Sequence, residues 1–320
     1  MLFLILLLAL YMGWNIGAND AANCVGADIG SGKMSLKEGI VITSVFSLLG
    51  ALLLGSHVTR TIGKGIIPLD RLEPPLAISL ALAAIFGAAL WVTLATYKKL
   101  PVSTSHAIVG SVAGAGLALG APVVWTKLTD IFLCWALTPL TAGLLSYFLY
   151  FFAKRFFPII VPARWQDRLL RILILLTSAY MAFTWGANDV ANASGLLVGI
   201  GKVNLFPATI ICAVAIIIGI CTWGYKVIET VGFGITHLAP LMTVIAEVAA
   251  AININLFTLF GIPVSTSHSI IGAVVGVGLI EGVKTVDKRM VRDIVIAWLV
   301  TPLIAGLFAF LILKIVLFFK

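Results

Sequence analysis

Ten times along its length the sequence runs apolar for about the 20 residues a helix needs to cross a bilayer. The runs fall at 1–18, 37–55, 75–97, 102–120, 128–153, 169–187, 205–223, 238–260, 264–281 and 294–319. No polar stretch between them could form a separate soluble domain. With 61% hydrophobic and only 11% charged residues, the chain has too little polar surface to dissolve in water. It is therefore predicted to be one all-α polytopic membrane domain. The fourth and ninth runs are short and glycine-rich, so either also reads as a re-entrant or broken helix. The first run has no basic residue before it and its counterpart in the second half is internal. It reads as a retained first span, not a signal peptide.

The formal net charge is +8. In a soluble protein this would raise nucleic acid as a partner. Here the basic residues sit in short loops between apolar runs. If all ten runs cross, 14 of the 21 Lys and Arg residues lie in loops on one face. The positive-inside bias puts that face in the cytoplasm, and both termini outside, in the plasma (inner) membrane. No nucleic-acid partner is expected. Cys24, Cys134, Cys212 and Cys221 form no C-x-x-C pair and read as packing residues within the membrane.

The chain repeats itself. Gly17-Ala18-Asn19-Asp20-Ala21-Ala22-Asn23 returns as Gly186-Ala187-Asn188-Asp189-Val190-Ala191-Asn192. Pro101-Val102-Ser103-Thr104-Ser105-His106 returns as Pro263-Val264-Ser265-Thr266-Ser267-His268. Trp135-x-x-Thr138-Pro139 returns as Trp298-x-x-Thr301-Pro302. The division reads as an N-terminal repeat at 1–153, a basic cytoplasmic linker at 154–168 and a C-terminal repeat at 169–320. Each repeat holds five runs, an odd number, so the two must be inserted upside down relative to one another. That is the inverted-topology plan of many secondary transporters, with the site at mid-membrane between repeats.

Asp20 and Asp189 each follow a long apolar run. A carboxylate inside a membrane is costly unless it pairs or faces water, so its default reading is functional. Gly17 and Gly186 are expected to loosen the helix just before them. Asn19 and Asn23 share a helix face with Asp20 between them, as do Asn188 and Asn192 with Asp189. Carboxylate, amide and freed carbonyl oxygens suit a hard cation, and no Cys/His set suited to zinc accompanies them. The predicted cation ligands are Asn19, Asp20, Asn23, Asn188, Asp189 and Asn192.

Pro101 and Pro263 interrupt the helical pattern, so new helices should begin near Ser103 and Ser265. A helix start offers free N–H groups and the positive end of the helix dipole to an anion. Ser103, Thr104, Ser105, Ser265, Thr266 and Ser267 add hydroxyl donors. His106 and His268 could carry protons, but an orienting role suits them better. No Lys or Arg accompanies either motif. Two aspartates plus a divalent oxyanion would crowd about four negative charges into low dielectric. Cations must therefore enter with the anion. Arg60 and Glu229 occupy equivalent places in the two halves and pair across the symmetry axis, guard an entrance, or simply face water.

On these duplicated motifs, over essentially the whole chain, the sequence resembles the inorganic phosphate transporter (PiT) family. The resemblance implies import of phosphate coupled to sodium in some members and to protons in others, by alternating access. It places the family's signature aspartates on Asp20 and Asp189 and its Ser-Thr-Ser segments on 103–105 and 265–267. Relatives that carry sulfate keep the anion open. The large hydrophilic central domain of animal members is missing. Sodium, phosphate and the lipid bilayer are the expected partners, with no organic cofactor, and a homodimer is compatible with the sequence. A membrane hydrolase using Ser103, His106 and Asp20 is disfavoured because neighbouring helix positions do not share a face. A passive anion channel is disfavoured because carboxylates repel permeating anions.

Overall fold

The computed structural model describes residues 2–98, 102–225, 228, 238–282 and 288–319, and these contain helices but no strand. Twelve α-helices follow in order among the described residues: α1 Leu2–Asp20, α2 Ala22–Gly30, α3 Leu36–Leu54, α4 Ser56–Arg60, α5 Pro74–Tyr97, α6 Thr104–Leu119, α7 Trp125–Ile160, α8 Ala163–Gly199, α9 Leu205–Gly219, α10 Pro240–Leu259, α11 Thr266–Glu281 and α12 Lys288–Phe318. Two π-helical turns, Thr61–Gly65 and Ile220–Gly224, extend α4 and α9.

Eight helical stretches are long and apolar enough to cross a membrane, with α1 and α2 counting together as one. The fourth and ninth apolar runs became α6 and α11, of 16 residues each. Such a helix rises about 24 Å, less than the ~30 Å hydrocarbon core. The ten runs thus resolve into eight long helices and two short ones. The basic stretch 154–168 is helical on both sides of a turn at Val161 and Pro162, because α7 runs to Ile160 and α8 starts at Ala163.

Local chemistry sets the helix ends. Ser35 and Glu38 form a reciprocal capping box at the start of α3: Glu38 N donates to Ser35 Oγ at 3.2 Å, and Ser35 N donates to Glu38 Oε2 at 2.9 Å. The turn before α3 is tied to the start of α8 by the Lys33–Asp167 and Arg171–Glu38 ion pairs. Gly120 ends α6 at φ +72°, where a side chain would be strained.

Inside the bundle, helices meet backbone to backbone, and the contacts come in matched pairs. A Cβ added at Gly17 would lie 2.0 Å from the carbonyl oxygen of Ile216, and one at Gly186 would lie 2.1 Å from that of Ser47. Gly110 presses on the Pro302 carbonyl and Gly272 on that of Pro139. In each case an element of one half packs on an element of the other: α1 on α9, α3 on α8, α6 on α12, and α11 on α7. Gly17 and Gly186 therefore do not loosen their helices, as the sequence suggested; they let neighbours close. The first half does break, but after Asp20, and α8 runs unbroken through Asn188–Asn192.

Cys24 and Cys212 are buried, whereas Cys221 is exposed rather than packed. Arg60 is exposed at the end of α4, and Glu229 and Lys320 lie outside the described residues.

Candidate functional site

Asp20 ends α1 and Asp189 lies within α8, each 1% exposed. Between them stand the starts of the two short helices. Ser103 N-caps α6, its Oγ accepting from His106 N at 3.2 Å, and Ser265 caps α11 in the same way at 3.3 Å. The two capping residues are thus occupied locally, while the two that follow point across the bundle. Thr104 Oγ1 donates to Asp20 Oδ2 at 2.6 Å. Ser105 Oγ donates to Asp189 Oδ1 at 3.0 Å, and Thr266 Oγ1 reaches Asp189 Oδ2 at 3.5 Å.

The second asparagine of each motif joins the halves. Asn23 Nδ2 donates to Ser267 Oγ at 2.9 Å. Asn192 Nδ2 lies 3.1 Å from Ser105 Oγ, 3.3 Å from Thr104 Oγ1 and 3.1 Å from Asp189 Oδ1. One connected network therefore runs from Asp20 through Thr104 and Asn192 to Asp189. The first asparagines do different work. Asn19 bonds Thr96 at 2.7 Å and Asn188 bonds Thr258 at 2.8 Å, so each ties its motif to the helix before the Ser-Thr-Ser segment. With the Asn19 amide turned so that its oxygen accepts from Thr96, its nitrogen reaches Asp20 Oδ1 at 3.2 Å.

The third motif explains the histidines. A proline at position i+4 has no N–H, so it orphans the carbonyl of residue i in a helix. Pro139 thereby frees the Trp135 carbonyl, which bonds His268 Nδ1 at 3.1 Å. Pro302 frees the Trp298 carbonyl, which bonds His106 Nδ1 at 3.1 Å. A carbonyl only accepts, so Nδ1 carries the hydrogen in both rings. Each ring lies against the other tryptophan, the one of its own half, His106 on Trp135 and His268 on Trp298, with centroids 3.6 Å apart in each case. The Trp-x-x-Thr-Pro motif of each half thus orients the Ser-Thr-Ser-His segment of the other.

All twelve predicted site residues are buried. Among the described residues the ion pairs are Lys33–Asp167, Lys64–Asp70, Lys154–Glu281 and Arg171–Glu38, none of which involves Asp20 or Asp189. At the start of α6 and of α11, the first N–H groups have no acceptor within the helix. The arrangement offers carboxylate and hydroxyl oxygens to a hard cation and helix-start donors to an anion. Thr96, Thr258 and the tryptophan carbonyls were not foreseen from sequence, nor was a second carboxyl pair, Asp28 and Glu247. The rule that singles out Asp20 would have found Glu247, an acid within the 238–260 run, but not Asp28, which falls between the first two runs.

Comparison with known proteins accords with this geometry. Residues 16–309 match the phosphate transporter family. A Pyrococcus furiosus protein named "Putative phosphate permease" is 32% identical, across 98% of this chain and 95% of its own length. The Arabidopsis thaliana protein "Inorganic phosphate transporter 2-1, chloroplastic" is 29% identical, across 92% of this chain and 69% of its own. A solved structure named "The sodium-dependent phosphate transporter" superposes with a TM-score of 0.89 at 26% identity, covering 100% of this chain and 99% of that one. With motifs, fold and full-length similarity in agreement, the chain belongs to the phosphate transporter family.

Proposed function

We propose that this chain is a secondary carrier that imports inorganic phosphate together with sodium ions by alternating access. The observation that carries the reading is the Asp20–Thr104–Asn192–Asp189 network, a buried, oxygen-lined site whose carboxylates, among the described residues, form no ion pair with Lys or Arg. Two carboxylates that close in low dielectric need cationic company before an anion can join them. Sodium fits the oxygen and amide set. The phosphate ligands in this reading are Ser103, Thr104, Ser105, Ser265, Thr266 and Ser267 with their helix-start N–H groups. Asn19, Asp20, Asn23, Asn188, Asp189 and Asn192 serve the cations directly or by holding the carboxylates.

The site residues are buried, so entry and exit require a rearrangement of the helices that opens the bundle around them. The superposable transporter is named as sodium-dependent, which supports the same cation here. The decisive measurement is uptake of radiolabelled phosphate into proteoliposomes, with sodium and proton gradients imposed separately. Accumulation driven by sodium alone is expected. Accumulation that follows the proton gradient and ignores sodium would replace sodium by protons in this scheme.

A further inference from the structure

Far from the Asp20–Asp189 network, the junction of α7 and α8 carries a pattern of charge that transport does not use. The two helices are 36 and 37 residues long, well beyond the ~20 that cross a hydrocarbon core. Their apolar runs end at Ala153 and resume at Leu169. The turn at Val161 and Pro162 therefore stands about 10 Å past either limit, among or just above the lipid headgroups. Gln166 closes the turn, its Nε2 donating to the Val161 carbonyl at 2.9 Å.

The acids that meet this region each hold a basic partner. Asp167 pairs with Lys33, Glu38 with Arg171 at 3.2 Å and Glu281 with Lys154 at 2.8 Å. Among the described residues, no ion pair includes Arg155, Arg164 or Arg168, and all three are exposed. Arg164 and Arg168 are four apart and share a face of α8. Both guanidiniums lie over the Trp165 ring, 5.9 and 5.6 Å from its centroid. Stacking engages the flat face of a guanidinium and leaves its N–H donors free. Held on one ring with no carboxylate of their own, the two cations repel, and an anion that bridges them removes that cost.

Where the turn is not basic it is apolar. Ile159 and Ile160 are 74% and 73% exposed, and Phe156 and Trp165 are 46% exposed each. In water this surface would stay uncovered at a cost. Basic residues set beside Trp, Phe and Ile are instead the composition that seats a helix at a bilayer interface. The architecture does not demand the charges. Counting from Trp135 and Trp298, the other half has Leu317 and Phe318 where Lys154 and Arg155 stand.

We propose that the α7–α8 turn binds the headgroup of an anionic phospholipid from the surrounding bilayer. Arg164 and Arg168 take the phosphate oxygens through their free N–H groups, held in place by the Trp165 ring. Ile159 and Ile160 cover themselves at the acyl boundary, and Arg155 adds charge from α7. A zwitterionic lipid offers the same phosphate but brings its own cation, so the surface selects a lipid of net negative charge. The turn joins the helices that carry Trp135 and Asp189, so a bound lipid steadies the far ends of both. The inference holds whichever cation drives transport.

The test uses full-length protein in phosphatidylcholine vesicles doped with a brominated lipid, either phosphatidylglycerol or phosphatidylcholine. Trp165 emission is read as the difference between wild type and Trp165→Phe. Brominated phosphatidylglycerol should quench it at a several-fold lower fraction than brominated phosphatidylcholine, and added salt should narrow the gap. Arg164→Gln and Arg168→Gln should each raise the fraction of phosphatidylglycerol needed by about five-fold. Should Trp165→Phe fold poorly, native mass spectrometry of wild type and the arginine variants gives the same comparison, as phosphatidylglycerol retained against phosphatidylcholine. Equal quenching by the two lipids, or quenching unchanged in both arginine variants, would overturn the proposal. Quenching by neither lipid would overturn it too, since the turn would then meet water or protein. So would relief of quenching by inorganic phosphate at constant ionic strength, because the ligand would then be a free anion.

Discussion

Replacing each site aspartate by asparagine separates the two halves of the network. At Asp189 the new amide can keep its oxygen toward Ser105 and Asn192 and turn its nitrogen to Thr266, whose hydroxyl can accept. At Asp20 the amide oxygen can keep Thr104. Both variants should therefore fold, and what is lost is one negative charge. A unit cation about 4 Å from a carboxylate gains about 4 kcal/mol at an effective dielectric of 20. Donors aimed at the same carboxylate oppose that gain, at about 1.5 kcal/mol for each bond to a charged group. Asp189 accepts from Ser105, Asn192 and Thr266, whereas Asp20 accepts from Thr104 and Asn19. Asp20 is the less satisfied of the two and should lean harder on its ion. By that subtraction Asp20→Asn should weaken sodium by about 1 kcal/mol, roughly five-fold, and Asp189→Asn by close to nothing. Linkage requires phosphate affinity at fixed sodium to fall in the same order. Isothermal titration of sodium, and of phosphate with and without sodium, reads all of these. Phosphate affinity in wild type that ignores sodium would refute the coupling, and a larger loss at Asp189 would refute the ranking.

Three further outcomes are expected. Ser105→Ala with Ser267→Ala should weaken phosphate by roughly 1.5–3 kcal/mol for each donor lost, whereas Ser103→Ala with Ser265→Ala should also cost about 1 kcal/mol of stability per helix cap; phosphate titration and thermal melting of the same samples distinguish them. Gly186→Ala should destabilise by about 1–3 kcal/mol, because its Cβ would meet the Ser47 carbonyl at 2.1 Å; an unchanged melting temperature would mean that α3 and α8 can separate freely. Single cysteines near Lys320 should be labelled from outside and those in 154–168 from the cytoplasm, and cytoplasmic exposure of Lys320 would overturn the assigned orientation.

The apolar runs located the long helices because bilayer thickness imposes a length that sequence displays directly. The starts of α6 and α11 were legible because proline and serine announce a helix start within a few residues. The partners of those starts were not. Asn23 meets Ser267, and Asn192 meets Ser105, through packing between distant segments, for which no local pattern exists. The role of Gly17 was misjudged for the same reason: what lies beside it, Ile216, is far away in the chain. The Trp-x-x-Thr-Pro repeat was visible but mute until the orphaned carbonyl and the histidine it receives were seen together.

The interlocking of the halves bears on how such a chain could be cut. Each Ser-Thr-Ser-His segment is oriented by the opposite half, and the glycine contacts cross the same divide. A fragment ending at the Val161 turn would carry Asp20 and Thr104 but leave His106 without the Trp298 carbonyl, and the complementary fragment would be deficient in the mirror-image way. Neither piece is a smaller transporter. Co-expressed, they should find each other, because every surface one leaves open is the surface the other needs.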